Sequence, residues 1–402
     1  MIVLALNCGS SSVKFRLIDA DPGTPGGERS IASGLFGGLP GAKAVLTIRV
    51  GDLVEEEQIP AADHEAAVRH CLATLAEERW RLPGIAAVGH RVVHGGEQFT
   101  GSALVGASEL SALEALEDLA PLHNGPSVAG IRAARAVLGE QVPMVAVFDT
   151  AFHASLPERA SRYALPADLA LRHGIRRFGF HGLSYQSVLA RFSEMTGTPQ
   201  ERARIVALHL GSGCSAAAIR DGRSVDTSMG FTPLEGLVMG TRAGDLDPAL
   251  PGYLARRARV GLETVEEWLH TKSGLLGLSG LSHDMRMLLA READHAGARL
   301  AIELFCYRAR KYIGAYLAAL GGAEAVLFTG GIGENAPEIR ARICEGMEWC
   351  GLQLDPARNR AAVGVEGRLS RDEARLQAYV IPSDEERVIA RETARRVERM
   401  HA

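Results

Sequence analysis

The chain reads as an α/β protein built from two related halves that face a shared phosphate, and three features of the sequence point there. The first is an internal repeat. Val3-Leu-Ala-Leu-Asn-Cys-Gly-Ser-Ser-Ser12 aligns with Ile205-Val-Ala-Leu-His-Leu-Gly-Ser-Gly-Cys214 at an offset of 202 in 402 residues, setting Asn7 against His209, Gly9 against Gly211 and Ser10 against Ser212. The second is the form of the repeated unit: a buried strand, a glycine turn and a second strand. In the central copy Gly211, Ser212 and Gly213 make the turn, and Asp221-Gly222 leads to a third strand at Arg223–Thr227. Converging backbone N–H groups in such a turn can bind an anion, although an ordinary hairpin has the same pattern. The third is the run from the strand Ala325–Phe328 into Thr329-Gly-Gly-Ile-Gly-Glu-Asn335, with Pro337 opening a helix. A strand, glycine turn and helix in that order cradle a nucleotide phosphate or ribose. The spacing is not that of the dinucleotide fingerprint, and with no Gly-Lys pair anywhere a Walker A loop is excluded.

Composition narrows the class. A chain of 402 residues implies two or three domains, and 47% hydrophobic with 23% charged residues is ordinary for a soluble globular protein. A net charge of -4 gives no reason to expect nucleic acid or an anionic membrane as partner. The six cysteines show no CxxC pair and no zinc spacing, so they read as reduced thiols. No run reaches the length of a membrane span and the N-terminus lacks a basic signal region, which makes the cytoplasm the default location. Lysines are rare, and Lys14 lies inside the first glycine-serine unit, as a ligand or as a chance lysine on a strand face.

In chain order, two strands flank Asn7–Ser12, a Pro/Gly-rich loop spans Pro22–Gly27, and Ala44–Val50 alternates as a strand. An amphipathic helix is expected from Asp63, its N-cap, to Trp80. The strand Ile85–His90 leads into His90-Arg-Val-Val-His-Gly-Gly-Glu97, where Arg91 needs an anion or a structural salt bridge. A leucine-striped helix, Ser108–Ala120, is expected to stop at the turn Pro121-Leu-His-Asn-Gly125. Val142–Phe148 ends in Asp149, an acid at a strand's end, where ligands bind in open α/β sheets. Phe178-Gly-Phe-His-Gly182 sets His181 between glycines, functional or merely capped by backbone. Arg242, among Gly240, Gly244 and acids, reads as an exposed, mobile loop arginine. Ala296–Leu320 is one long helix ending at Gly321-Gly322. After the last strand, Gln377–Ile381, the acids Asp384-Glu-Glu386 open a helix to about Met400; they suit Mg²⁺ or the helix dipole.

Taken together, Asn7-Cys-Gly-Ser-Ser-Ser-Val-Lys-Phe15, His90–Glu97, Ala120-Pro-Leu-His123, Phe148-Asp-Thr-Ala-Phe-His153, Gly179-Phe-His-Gly182, Asp226–Gly236, Thr329–Asn335 and Asp384-Glu-Glu386 resemble the acetate kinase family, from Val3 to Ala394. The resemblance implies the duplicated two-domain actin/sugar-kinase/Hsp70-type, ribonuclease H-like ATPase fold. Its domains would be 1–150, a nucleotide-binding 151–382, and a helix at 383–402 returning to the first. It implies a homodimer, with acetate, acetyl phosphate, ATP and ADP as substrates and Mg²⁺ (Mn²⁺ as a substitute) as cofactor. Asn7, Asp149 and Glu385 would surround the metal, Asp149 also assisting proton handling. Arg91 and Arg242 would hold the carboxylate and the phosphoryl group, with His181 donating to the latter and His123 beside it. Val93, Leu122, Phe180 and Pro233 would enclose the acyl methyl. Lys14, His209, Leu210, Gly211, Ser212, Gly213, Asp284, Met285, Arg286, Gly331, Ile332, Gly333, Glu334 and Asn335 would hold the nucleotide.

The chain departs from the family pattern at three places: Ser212 replaces an asparagine, Gly125 a proline, and Leu183-Ser-Tyr185 a Thr-Ser-His. Serine brings one donor where the amide brings two, which bears on the phosphoryl donor. Expected chemistry is reversible phosphoryl transfer between ATP and acetate. Propionate or another short acyl chain, or a pyrophosphate donor, are the variants within the family. An actin- or Hsp70-like ATPase switch is the reading from another class.

Overall fold

The computed structural model describes residues 1–9, 11–20, 27–39, 41, 44–59, 63–117 and 121–401, the side chains of 121–123 and 401 excepted. It divides into two compact units, one made of Met1–Phe152 with Asp384–Ala402 and the other of His153–Ser383.

The first unit is built on an eight-stranded sheet. Its strands are β1 (Ile2–Gly9), β2 (Ser12–Asp19), β3 (Arg29–Gly37), β4 (Ala44–Val50), β5 (Leu53–Ile59), β6 (Ala87–Val92), β7 (Ala103–Leu104) and β8 (Met144–Phe148), in the order β5-β4-β3-β2-β1-β6-β8-β7. The apolar run of β1 is buried on both faces: Leu4, Leu6 and Cys8 join the core that includes Val68 and Ile131, while Val3 joins Ala390 and Ala394. Helix Pro121–Leu138, with helix His64–Leu75 beside it, therefore covers one face, and the terminal helix Glu385–His401 packs on β1, β6 and β8. The edges are blunted by the acidic, exposed β5 and the two-residue β7.

The second unit carries six strands, β9 (Arg204–Leu210), β10 (Cys214–Arg220), β11 (Arg223–Thr227), β12 (Ala325–Thr329), β13 (Gly367–Arg368) and β14 (Gln377–Val380), ordered β11-β10-β9-β12-β14-β13. Asp221 and Gly222, both at positive φ, make the tight turn between β10 and β11. The repeat seen in the sequence is here a repeat of topology. β1, β2 and β3 pair antiparallel and β6 and β8 continue in parallel from β1; β9, β10 and β11 pair antiparallel and β12 and β14 continue in parallel from β9. Ser10, the partner of Ser212 in the alignment, lies outside the described residues.

Asp63 caps its helix as expected, accepting the Ala66 N–H at 2.7 Å, and helix Ala296–Leu320 has the expected bounds. Three expectations need correction. The first helix ends at Leu75, and Glu78–Trp80 is a separate 3₁₀ turn after the chain leaves helical geometry at Glu77. The strand expected at Ile85–His90 is Ala87–Val92 and contains Arg91. The leucine-striped helix is Ala107–Ala115, and Pro121 opens a second helix rather than a turn, its missing N–H falling where a helix has no use for it.

Gly89 sets how closely the terminal helix docks: a Cβ there would stand 2.2 Å from Thr393 Oγ1 and 2.6 Å from Ile389 Cγ2. Gly89→Val is expected to destabilise the protein by about 1–3 kcal/mol through overpacking. A thermal or denaturant midpoint equal to that of the parent would contradict this account of the packing.

Candidate active site

In the first unit four polar side chains meet at the ends of central strands. Arg91, near the end of β6, donates from Nε and Nη2 to the two oxygens of Asp149 at 3.0 and 2.6 Å, and from Nη1 to Asn7 Oδ1 at 3.1 Å. Asp149 is the first residue after β8 and is 1% exposed. Glu385, at the start of the terminal helix, accepts from Asn7 Nδ2 at 3.4 Å and lies 3.7 Å from Arg91. Burial opposes the charge on Arg91, but Asp149, Glu385 and Glu386 outweigh it and keep the guanidinium protonated. Burial pushes the Glu385 carboxyl up to about 7, against the pull of Arg91 and with the push of Asp149 and Glu386.

The three terminal acids have separate tasks. Asp384 takes both its oxygens to Arg16 and caps the helix through the Arg387 N–H, Glu386 lies 3.7 Å from Arg16, and Glu385 alone joins the Arg91 cluster. Lys14 is exposed on β2, paired across the strands with Asn7, and its charge lowers the Glu385 pKa. Among the described residues no three His, Cys, Asp or Glu side chains form a metal-ligating group. What Asn7, Asp149 and Glu385 offer is two carboxylates and an amide oxygen, the sparse set of hard oxygens that Mg²⁺ accepts while keeping its waters. Val93 is buried just after β6. Leu122 and His123 lie in the first turn of helix Pro121–Leu138, but their side chains are outside the described residues.

In the second unit the Gly211-Ser212-Gly213 turn joins β9 to β10, closed by the Gly211 N–H on the Gly213 carbonyl at 3.1 Å. A Cβ on Gly213 would stand 2.8 Å from Arg242 Nη2 and 3.4 Å from His181 Nε2. Both nitrogens thus face the space above this glycine. His181 precedes helix Gly182–Thr196 at φ 58°, a left-handed conformation that costs a non-glycine residue about 1–3 kcal/mol. Its ring stacks on that of His209, 4.1 Å between centroids, and its Nδ1 meets Ser215 Oγ at 2.8 Å. Ser184 Oγ meets His209 Nδ1 at 2.8 Å.

Arg242 differs from the mobile, exposed arginine expected. It is half-buried, it donates to the Pro233 carbonyl at 2.6 Å, and its loop is tied to the start of helix Gly274–Ser279 through Ser273 N–H to the Thr241 carbonyl and Leu275 N–H to that of Met239. Among the described residues no carboxylate pairs with it. Burial lowers its pKa, and the Cys214 thiol offsets the penalty only in part. Phe180 is 1% exposed and its carbonyl bonds His153 Nε2, while Pro233 is buried.

Beside the turn is a cavity of ≈ 430 Å³. Gly211, Ser212, Asp284, Met285, Arg286, Gly331, Ile332 and Asn335 line it, joined by His283, Leu289 and Ala336, which the sequence reading did not single out. His283 adjoins a recognised motif and could have been found by extending it. His209, Leu210, Gly213, Gly333 and Glu334 do not line the cavity. Gly330–Asn335, expected as a glycine turn, is a short helix, and its Glu334 accepts the N–H groups of Gly330 and Ser383 at 2.9 and 3.2 Å. Arg340, fully buried, holds the end of that helix by donating to the carbonyls of Gly333 and Glu334 and to those of Asn359 and Ala362.

The acetokinase family model matches residues 2–391. An acetate kinase of Solibacter usitatus is 50% identical, the match covering 98% of each chain. One of Chloroherpeton thalassium is 49% identical across 99% of this chain and 100% of its own. The crystal structure of Porphyromonas gingivalis acetate kinase superposes with a TM-score of 0.90 at 38% identity, covering 98% of this chain and 99% of its own. A propionate kinase of Francisella tularensis gives a TM-score of 0.90 at 36% identity with the same coverage. The fold is the two-domain α/β ATPase fold these kinases share, and the topological repeat of the two sheets is its duplication. With matches of this extent, and with Arg91, Asp149, His181 and Arg242 placed by the strand ends and turns just described, the chain belongs to the acetokinase family.

Proposed function

We propose that this protein is an acetate kinase, catalysing reversible phosphoryl transfer between ATP and acetate to give acetyl phosphate and ADP. The observation that carries the proposal is Arg242: a half-buried guanidinium with no carboxylate partner among the described residues, facing the same space as His181 Nε2. Such a charge calls for an anionic ligand. A carboxylate substrate is already an anion and needs no strong base. It needs charge repulsion removed and an in-line approach enforced.

Arg242 and His181 supply donors to the equatorial oxygens of the phosphoryl group as it flattens. Arg91 is aimed by its two bonds to Asp149 and holds the substrate carboxylate. Asp149, with both oxygens engaged, acts chiefly by orienting that guanidinium. Val93, Leu122, Phe180 and Pro233 exclude water around the methyl group, with His123 beside the phosphoryl. The cavity at Gly211, Ser212, Asp284–Arg286 and Gly331–Asn335 takes the nucleotide. Asn7, Asp149 and Glu385 would hold Mg²⁺ (or Mn²⁺), which when bound neutralises phosphate charge.

Propionate is the second reading, supported by the Francisella tularensis propionate kinase at 36% identity. One methylene is worth only about 1–3 kcal/mol, and the β-branched Val93 favours the two-carbon acid. Family likeness also carries a homodimer and a cytoplasmic location to this chain as proposals; no described helix is long and apolar enough to cross a membrane.

Arg242→Ala is expected to stay folded and to lose at least about 10²-fold in kcat. Gly213→Ala, whose new methyl meets Arg242 Nη2, is expected to lose about 10-fold through misplacement of that group. Near-parental turnover of a folded Arg242→Ala would overturn the assignment. Ser212 lies exposed at the cavity, so Ser212→Asn adds a donor without displacing core. It should lower the KM for ATP by about 2- to 10-fold, the worth of one hydrogen bond, with kcat little changed. An unaltered KM would mean that residue 212 does not meet the nucleotide.

A further inference from the structure

Ser215 Oγ is fully buried and has two hydrogen-bond neighbours among the described residues, His181 Nδ1 at 2.8 Å and the Tyr185 hydroxyl at 2.5 Å. From this geometry we infer that Tyr185 and Ser215 are positioning residues that fix His181 as the Nε2–H tautomer. This rests on the reading of His181 as a donor to the phosphoryl group.

The direction of the chain follows from counting hydrogens. A phenol is a stronger hydrogen-bond donor and a weaker acceptor than an aliphatic hydroxyl, so at 2.5 Å the Tyr185 hydrogen is directed to Ser215 Oγ. Burial raises the Tyr185 pKa well above its ordinary value, which keeps that hydrogen in place. Ser215, already accepting from Tyr185, turns its own hydrogen to His181 Nδ1. A neutral imidazole that accepts at Nδ1 carries its proton at Nε2, the nitrogen facing the space above Gly213 beside Arg242 Nη2. The reverse arrangement, with Nδ1–H donating to Ser215, would present a lone pair at Nε2 and repel phosphoryl oxygens. It would also send the serine hydrogen to the phenol oxygen, the weaker acceptor of the pair.

Tyr185 stands where the family pattern has histidine. A phenol has one hydrogen, so a chain headed by it has a fixed sense, whereas an imidazole can turn either nitrogen to the serine. Edge-to-face packing on His153, 5.7 Å between centroids, holds the phenol ring in place.

The test is ¹⁵N-histidine labelling of the full-length protein, with the His181 ring signals assigned by their loss in His181→Gln, alongside steady-state kinetics. The parent should show Nδ1 unprotonated and Nε2 protonated. Tyr185→Phe and Ser215→Ala should show a mixture of tautomers and lose about 5- to 20-fold in kcat, with both KM values within about twofold. Ser215→Thr, which keeps the hydroxyl, should recover the parental tautomer. A parental ring protonated at Nδ1 or at both nitrogens overturns the proposal even if a variant fails to fold. So do variants that retain both the parental tautomer and the parental kcat. Full turnover in His181→Gln would instead overturn the underlying reading of His181, whatever its tautomer.

Discussion

A guanidinium withdrawn from water without a counter-charge is costly to keep, and the second unit is arranged to keep one. Arg242 is held by a carbonyl, not a carboxylate, and its loop is tied by main-chain bonds to the start of helix Gly274–Ser279. Gly213 leaves it room by lacking a Cβ, and His181 reaches the same space only because its backbone accepts a left-handed conformation. Each of these features costs stability. An anion with spread charge, such as a phosphoryl group in transfer, is the ligand that makes use of all of them.

The first unit treats its arginine in the opposite way. Arg91 gives one N–H from each of its three nitrogens to Asp149 and Asn7, so its orientation is fixed in advance while donors remain for a ligand. The sheet explains the placement. Parallel strands end on one edge, and β6 and β8 bring Arg91 and Asp149 to neighbouring ends, while the terminal helix, seated against Gly89, delivers Glu385. A residue 378 positions away thereby bonds Asn7. Two carboxylates at close quarters, with Glu385 pushed up to about 7, form a cluster whose charge depends on what binds to it.

Much of this was legible in the sequence because the controlling signals are local. The apolar runs around Gly211–Gly213, the Asp221-Gly222 turn and the glycine stop of helix Ala296–Leu320 mark their elements almost to the residue. The strand-end positions of Asp149 and Arg91 follow from the same runs. Pro121 and Gly125 misled because such residues break a helix interior, yet Pro121 opens the helix, where a backbone N–H is unsatisfied anyway, and the helix runs on through Gly125 and Pro126. Partners across long separations left no local trace. Arg340 reaching Asn359 and Ala362, Glu334 accepting from Ser383, and Ser215 joining Tyr185 to His181 all depend on which elements pack together.

The central claim is that these arrangements serve a carboxylate attacking the terminal phosphoryl of a nucleotide. Its most direct test is hydroxylamine trapping of acyl phosphate by the purified protein with ATP and Mg²⁺, with and without acetate, in parallel with ADP release. Hydroxamate and ADP should appear together, in equal amounts, only when acetate is present, and propionate should react more slowly. ATP hydrolysis that proceeds at the same rate without acetate and gives no hydroxamate would contradict the account.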